Sequence, residues 1–199
     1  GIVVGVIVTL LAVLYRTARP RVAVLGKVHG ARRHRDVSRH PDAKTSDHVL
    51  IVRFEAQLFF ANAEYFRQSV LDLVDAHEPP PDALVLVCDA MTQIDLTGMD
   101  ALVELVGELC ERDVQLRMCR VKGPVHDALQ NAGVVELIGP EHFFDSVKAA
   151  KKGRHPDGLP MFGAVGQLEL EHGHSEYEEG VDAAEVAGAL KHGRHRQKA

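Results

Sequence analysis

Asp95-Leu96-Thr97-Gly98 is the segment whose residue types come closest to doing chemistry. A carboxylate and a hydroxyl lie two residues apart where an apolar run of helical period begins. Thr97 suits capping of the free N–H groups in that helix's first turn, with Asp100 three residues on as an imperfect capping box. Contact of the pair with a ligand or partner is the competing reading. Gly98 permits close approach of helix and sheet, a structural role. Gly123-Pro124 marks another helix start and offers free N–H groups to an anion, although the same pair is common as plain architecture. His172 and His174 form an HxH pair beside Glu171. Four ligands on an ordered scaffold are not visible there, so a solvated segment is preferred to a metal site. The sequence holds no P-loop, GxSxG or HExxH, and no paired catalytic carboxylates on a recognisable frame. No enzymatic activity, cofactor or metal is expected.

The bulk properties point the same way. A formal net charge of -5 over 199 residues gives no basic surface for nucleic acid. Cys88, Cys110 and Cys119 have no CxxC spacing, and two of them sit in apolar runs. Reduced, buried thiols are expected rather than a disulfide or metal role.

The elements that must position Asp95 follow from hydrophobic periodicity. Gly1 to Leu14 is apolar apart from Thr9 and carries no side-chain charge, and Arg16, Arg19 and Arg21 follow it. At ~1.5 Å per residue this run spans about 20 Å, short of the ~30 Å hydrocarbon core. We read residues 1–16 as the C-terminal part of a transmembrane helix, with the arginines placing the rest in the cytoplasm. A buried core helix or strand is the alternative. Charge before the run and a small-residue cleavage site after it, which a signal peptide needs, are absent. Val22–Leu25 is a short strand. Residues 26–47 are polar and basic, with Lys27, Arg32, Arg33, Arg35 and Arg39, and read as a solvated loop and strand edge or a contact for anionic headgroups.

From Val49 strands and helices alternate. Val49–Phe54 is a strand, and Leu58-Phe59-Phe60 a second short one. Asn62 caps a helix to about His77, with Phe66, Val70, Leu73 and Val74 inward. Ala83–Cys88 reads as a central strand covered on both faces. Gly98–Glu111 is a helix with Leu102, Leu105, Val106 and Leu109 buried, and Glu104, Glu108 and Glu111 on a wet face. Val114–Cys119 alternates, with Gln115 and Arg117 outward. A short helix runs between Pro124 and a C-terminal cap at Gly133. Val134–Ile138 reads as a last strand and Pro140–Lys152 as a final helix. The order implies an α/β fold with a mainly parallel or mixed sheet. Residues 20–152 are one domain, and 153–199 a largely disordered tail rich in glycine, histidine and acidic residues.

Four segments resemble one family. Phe59-Phe60-Ala61-Asn62-Ala63-Glu64-Tyr65-Phe66 is similar to the FFANA-x-x-F stretch of STAS domains in bacterial SulP permeases. Cys88 to Gly98 is similar to the family's strand, loop and D-x-[ST]-G helix start. Pro20 to Gly26 resembles its first strand after the membrane exit. Arg35-Asp36-Val37-Ser38-Arg39-His40-Pro41 resembles Y-R-D-V-x-R-[HY]-P, with His34 where Tyr is usual. The resemblance covers residues 1 to about 150. It implies the STAS (anti-sigma-factor-antagonist-like) fold, a central mixed β-sheet flanked by helices and preceded by part of a transmembrane helix. It implies a cytoplasmic regulatory and assembly domain of a SulP-type secondary transporter of inorganic anions, sulfate or in some members bicarbonate, at the cell inner membrane. The partners it implies are the membrane portion of the same permease, the lipid bilayer, a second copy and a cytosolic regulatory protein. The alternative is a stand-alone anti-sigma-factor-antagonist module. In those proteins the position matching Thr97 is phosphorylated, with the position matching Asp95 beside it. Asp95, Thr97 and Gly98 are therefore the expected regulatory loop.

Overall fold

The computed structural model describes residues 1–28 and 34–154. Arg32, Arg33 and the expectation for 155–199 lie outside those residues. Helix α1 (Ile2–Ala18) is 17 residues long, and none of them is buried. Its length, ~25 Å at ~1.5 Å per residue, is below the hydrocarbon thickness. Among the described residues no helix is long and apolar enough to cross a membrane.

Six strands form one sheet: β1 (Val22–Lys27), β2 (His34–Asp36), β3 (Val49–Phe54), β4 (Ala83–Val87), β5 (Gln115–Cys119) and β6 (Phe143–Phe144), in spatial order β2-β1-β3-β4-β5-β6. β3 to β6 pair in parallel, and β1 runs antiparallel to β2 and β3. Every residue of β4 is buried. Its alternate side chains serve two cores, as the pleat requires. Leu84 and Leu86 face α2 (Ala63–Asp75), α3 (Leu96–Glu111), α4 (Gly123–Asn131) and α5 (Val134–Ile138). Val85 and Val87 face α6 (Val147–Lys152), together with Leu25, Ile51, Cys119 and Phe144. Phe66 of α2 is fully buried and meets Phe54 of β3 edge-on, ring centroids 4.9 Å apart. Cys88 and Cys119 are buried free thiols. They serve opposite faces of the sheet, and burial pushes the Cys119 thiol up to about 12 and the Cys88 thiol well up, so both stay protonated.

Several expectations are corrected. Val134–Ile138 is a helix, not a strand, because Gly133 in a left-handed turn (φ 72°) redirects the chain and Val134, Val135 and Ile138 bury one side of a single turn. The edge beside β5 goes instead to Phe143 and Phe144, whose rings enter opposite cores. The expected final helix from Pro140 is thus a 3-10 turn (Pro140–His142), this short strand, and then α6, capped by Ser146 accepting from the Ala149 N–H at 3.2 Å. Leu58-Phe59-Phe60 forms only one bridge, Leu58 to Ile94. Asn62 stands at the N-cap of α2 without capping it, since its side chain accepts from the Phe59 N–H and donates to the Gln57 carbonyl. Arg117 does not point to water: half-buried, it donates to the Ala150 carbonyl at 3.0 Å beneath α6. The glutamate row of α3 is not simply wet, because Glu104 and Glu108 pair with Arg67 of α2, which also holds Glu64 at 2.8 Å.

Phe66→Ala should destabilise the protein by about 3–5 kcal/mol, the usual cost of deleting a buried phenylalanine ring. Urea unfolding reads this as a lowered midpoint at unchanged slope. A change below about 1 kcal/mol would mean that the α2 face is not packed as described.

Candidate functional site

The site is built where two loops meet at one end of the sheet. The β3–α2 loop carries Gln57 to Asn62, and the β4–α3 loop carries Thr92 to Asp95. They are joined by the Leu58–Ile94 bridge, by the Asp95 N–H donating to the Leu58 carbonyl at 3.2 Å, and by Gln57 Nε2 donating to Thr92 Oγ1 at 2.9 Å. Between the loops and Pro124 of α4 lies an open cleft of about 470 Å³.

Asp95 is the organising side chain. It is extended (φ −98°, ψ 177°) and is the N-cap of α3. Its Oδ1 accepts from the Gly98 N–H at 2.7 Å, and its Oδ2 accepts from the Phe60 N–H at 2.9 Å. One carboxylate thus satisfies a free helix donor and pins the neighbouring loop, and its charge suits the positive end of the helix.

Thr97 is therefore not the cap. It lies in the first turn of α3, exposed to solvent, and Asp95 already holds the donor that a cap would serve. Asp100 is exposed too and completes no capping box. Gly98 does allow close approach: a Cβ there would stand 2.8 Å from the Leu58 carbonyl oxygen. The three singled-out residues are brought together, with distinct roles. Asp95 ties, Gly98 admits, and Thr97 presents a hydroxyl. Gly123-Pro124 starts α4 beside the cleft, and Pro124 lines it.

Sequence reasoning missed Gln57 and Thr92, which join loops far apart in the chain, and gave Asn62 a helix cap where it instead braces its own loop. Only the asparagine's place among apolar neighbours was a signal. It also missed the exposed apolar pair Phe60 and Leu96, 72% and 70% accessible, which flank the capped junction. Among the described residues no group of His, Cys, Asp or Glu is placed to hold a metal ion. The junction offers a hydroxyl, apolar side chains and an open cleft.

A mixed α/β domain with this strand order and this helix-start junction is the class that fold and site define. The family model described as "STAS domain" matches residues 40–150, and the chain belongs to that family. A probable sulfate transporter of Mycobacterium tuberculosis is 35% identical over 150 residues, covering 75% of this chain and 27% of that protein. The chloroplastic sulfate transporter 4.1 of Arabidopsis thaliana is 31% identical over 159 residues, covering 75% and 23%. The structure of the murine Slc26a9 anion transporter in an inward-facing state aligns with a TM-score of 0.66 at 25% identity, covering 76% of this chain and 25% of that one. The chain thus spans about a quarter of the length of these relatives, and its STAS domain is of the kind carried by SulP and SLC26 transporters.

Asp95→Ala should cost about 1–2 kcal/mol, because it removes a cap and leaves the Phe60 N–H without its acceptor. Thr97→Ala should stay within about 0.5 kcal/mol, the usual range of a surface change. Thermal unfolding of both variants checks the assignment, and the reverse ranking would return the cap to Thr97.

Proposed function

We propose that this chain is the cytoplasmic end of a SulP-type secondary transporter of inorganic anions of the sulfate class. Residues 1–16 are the C-terminal part of its last transmembrane helix, and residues 20–152 a regulatory and assembly domain. Helix α1 carries the reading. Ile2, Val3, Val4, Leu10, Leu11 and Leu14 are all more than half exposed, so the helix is apolar all round with nothing among the described residues to cover it. A helix of that kind calls for a lipid or protein surround. Arg16 and Arg19 at its end suit the cytoplasmic interface.

The join between helix and domain is held by Arg21. Arg21 ion-pairs with the nearly buried Asp36 and donates to Ser38 Oγ at 2.7 Å. The Arg21 carbonyl accepts from the Glu55 N–H at 3.0 Å. Hydrogen bonds from Ser38 and the charge of Arg21 hold the Asp36 carboxyl below its usual range, so it stays ionised. Movement of α1 therefore reaches β1 and β2 through one guanidinium.

In this reading the permeation path lies in membrane segments outside the chain, and the domain acts through contacts with the membrane portion, a second copy or a cytosolic regulator. A second reading draws support from Thr97: its exposed hydroxyl in the first turn of α3 is placed for phosphorylation, as in a free signalling module. A phosphate would add about -1.5 to -2 charges beside Asp95 and Asp100 and would act on docking.

Removing residues 22–152 from the complete protein should lower labelled-sulfate uptake or surface level by an order of magnitude. Uptake and surface level equal to the parent would dismiss the regulatory and assembly role. Arg21→Ala, with the fold kept, should reproduce part of the loss. Intact mass of protein from its native host tests the second reading, which requires an added phosphate at Thr97.

A further inference from the structure

The face of the sheet opposite the Asp95 junction collects cations around α6. β1 pairs Lys27 directly with His34 of β2, and Lys27 also forms an antiparallel bridge with Lys44. Directly opposed residues share a face, so Lys44, Lys27 and His34 make one cross-strand row, in which the like charges of Lys44 and Lys27 repel. Lys27 has the parity of Leu25, which packs against α6, so the row lies on the α6 side. α6 adds Lys148, Lys151 and Lys152, and Gly153 ends it against the Arg117 guanidinium, 3.0 Å from where a Cβ would stand. Burial and the charges of Lys151, Lys27 and Arg120 all hold the His34 imidazole below its usual pKa. Arg120 has a counter-ion, Asp89 at 3.5 Å, but Lys27, Lys44 and Lys151 pair with no acid among the described residues.

The sequence that follows α6 carries the complementary charge. The chain leaves α6 at Gly153 and Arg154. From there to Lys191 the sequence has no Lys or Arg, and Glu169, Glu171, Glu176, Glu178, Glu179 and Asp182 fall within residues 169–182. Residues 155–168 are the tether, and a chain of that length reaches at most ~50 Å, beyond the width of this small sheet. Tethering on this scale gives an effective concentration on the order of millimolar, enough for weak ion pairs to be made without an external partner.

We propose that the acidic stretch 169–182 docks on the cations Lys44 and Lys27 of this row and on Lys151 of α6, on the sheet's second face. The repelling row is then compensated from within the chain. The contact is electrostatic and open to competition.

The test is zero-length carbodiimide cross-linking of the whole chain in uncharged detergent micelles, read by peptide mass spectrometry. Cross-links from the 169–182 carboxylates to Lys27, Lys44 and Lys151 are expected, with Lys122 of the opposite face left out. They should vanish at about 1 M salt, where the screening length is about 3 Å. A variant with the five glutamates changed to Gln and Asp182→Asn should acylate several-fold faster at Lys27 and Lys151 than the parent. Equal acylation rates would overturn the docking, as would cross-links spread evenly to Lys122. Cross-links found only between isotopically distinct copies would also overturn it, assigning the row to a second chain. Protection of Lys27 and Lys151 that appears only when phosphatidylglycerol is added would do so as well, assigning the surface to lipid.

Discussion

Every residue of β4 is buried, so this strand has no face to give to water. That constraint arranges the rest. Leu84 and Leu86 demand a helical layer on one side, and Val85 and Val87 demand a second on the other. Parallel pairing of β3, β4 and β5 supplies the first, because the return crossings through α2 and α3 both pass over that face, and α6, which follows β6, supplies the second. With both faces covered, polar chemistry is displaced to the loops at the strand ends and to the rims.

The Asp95 junction is one such strand-end site. It is held by backbone donors rather than by other charges, which leaves its outer surface free for contact. Gly98 lets α3 come down onto the Leu58 carbonyl, and Asp95 then reaches both α3 and the Phe60 N–H. The α1–β1 join lies where β1 pairs with the last residues of β3.

The opposite face carries a different logic. Among the described residues the short α6 covers it. Arg117 is half-buried there because its guanidinium finds carbonyls at the end of α6, and cations are favoured at a helix C-terminus.

Much of the architecture was legible in the residues. The continuous run Ala83–Cys88, the helical spacing of Leu102, Leu105, Val106 and Leu109, and the apolar, uncharged Gly1–Leu14 each have one economical burial pattern. Periodicity therefore determined β4, α3 and α1, and the ordered motifs determined the family. What only the tertiary structure decided were choices between local options of similar energy. Val134–Ile138 is apolar enough for strand or helix, and the seat beside β5 went to Phe143 and Phe144 because Gly133 turned the chain away. Asp95 and Thr97 are both good caps, and Asp95 took the role because the Phe60 N–H, brought in from a distant loop, rewards its second oxygen. Local sequence sets which groups can bond; the partner that arrives through space sets which of them does.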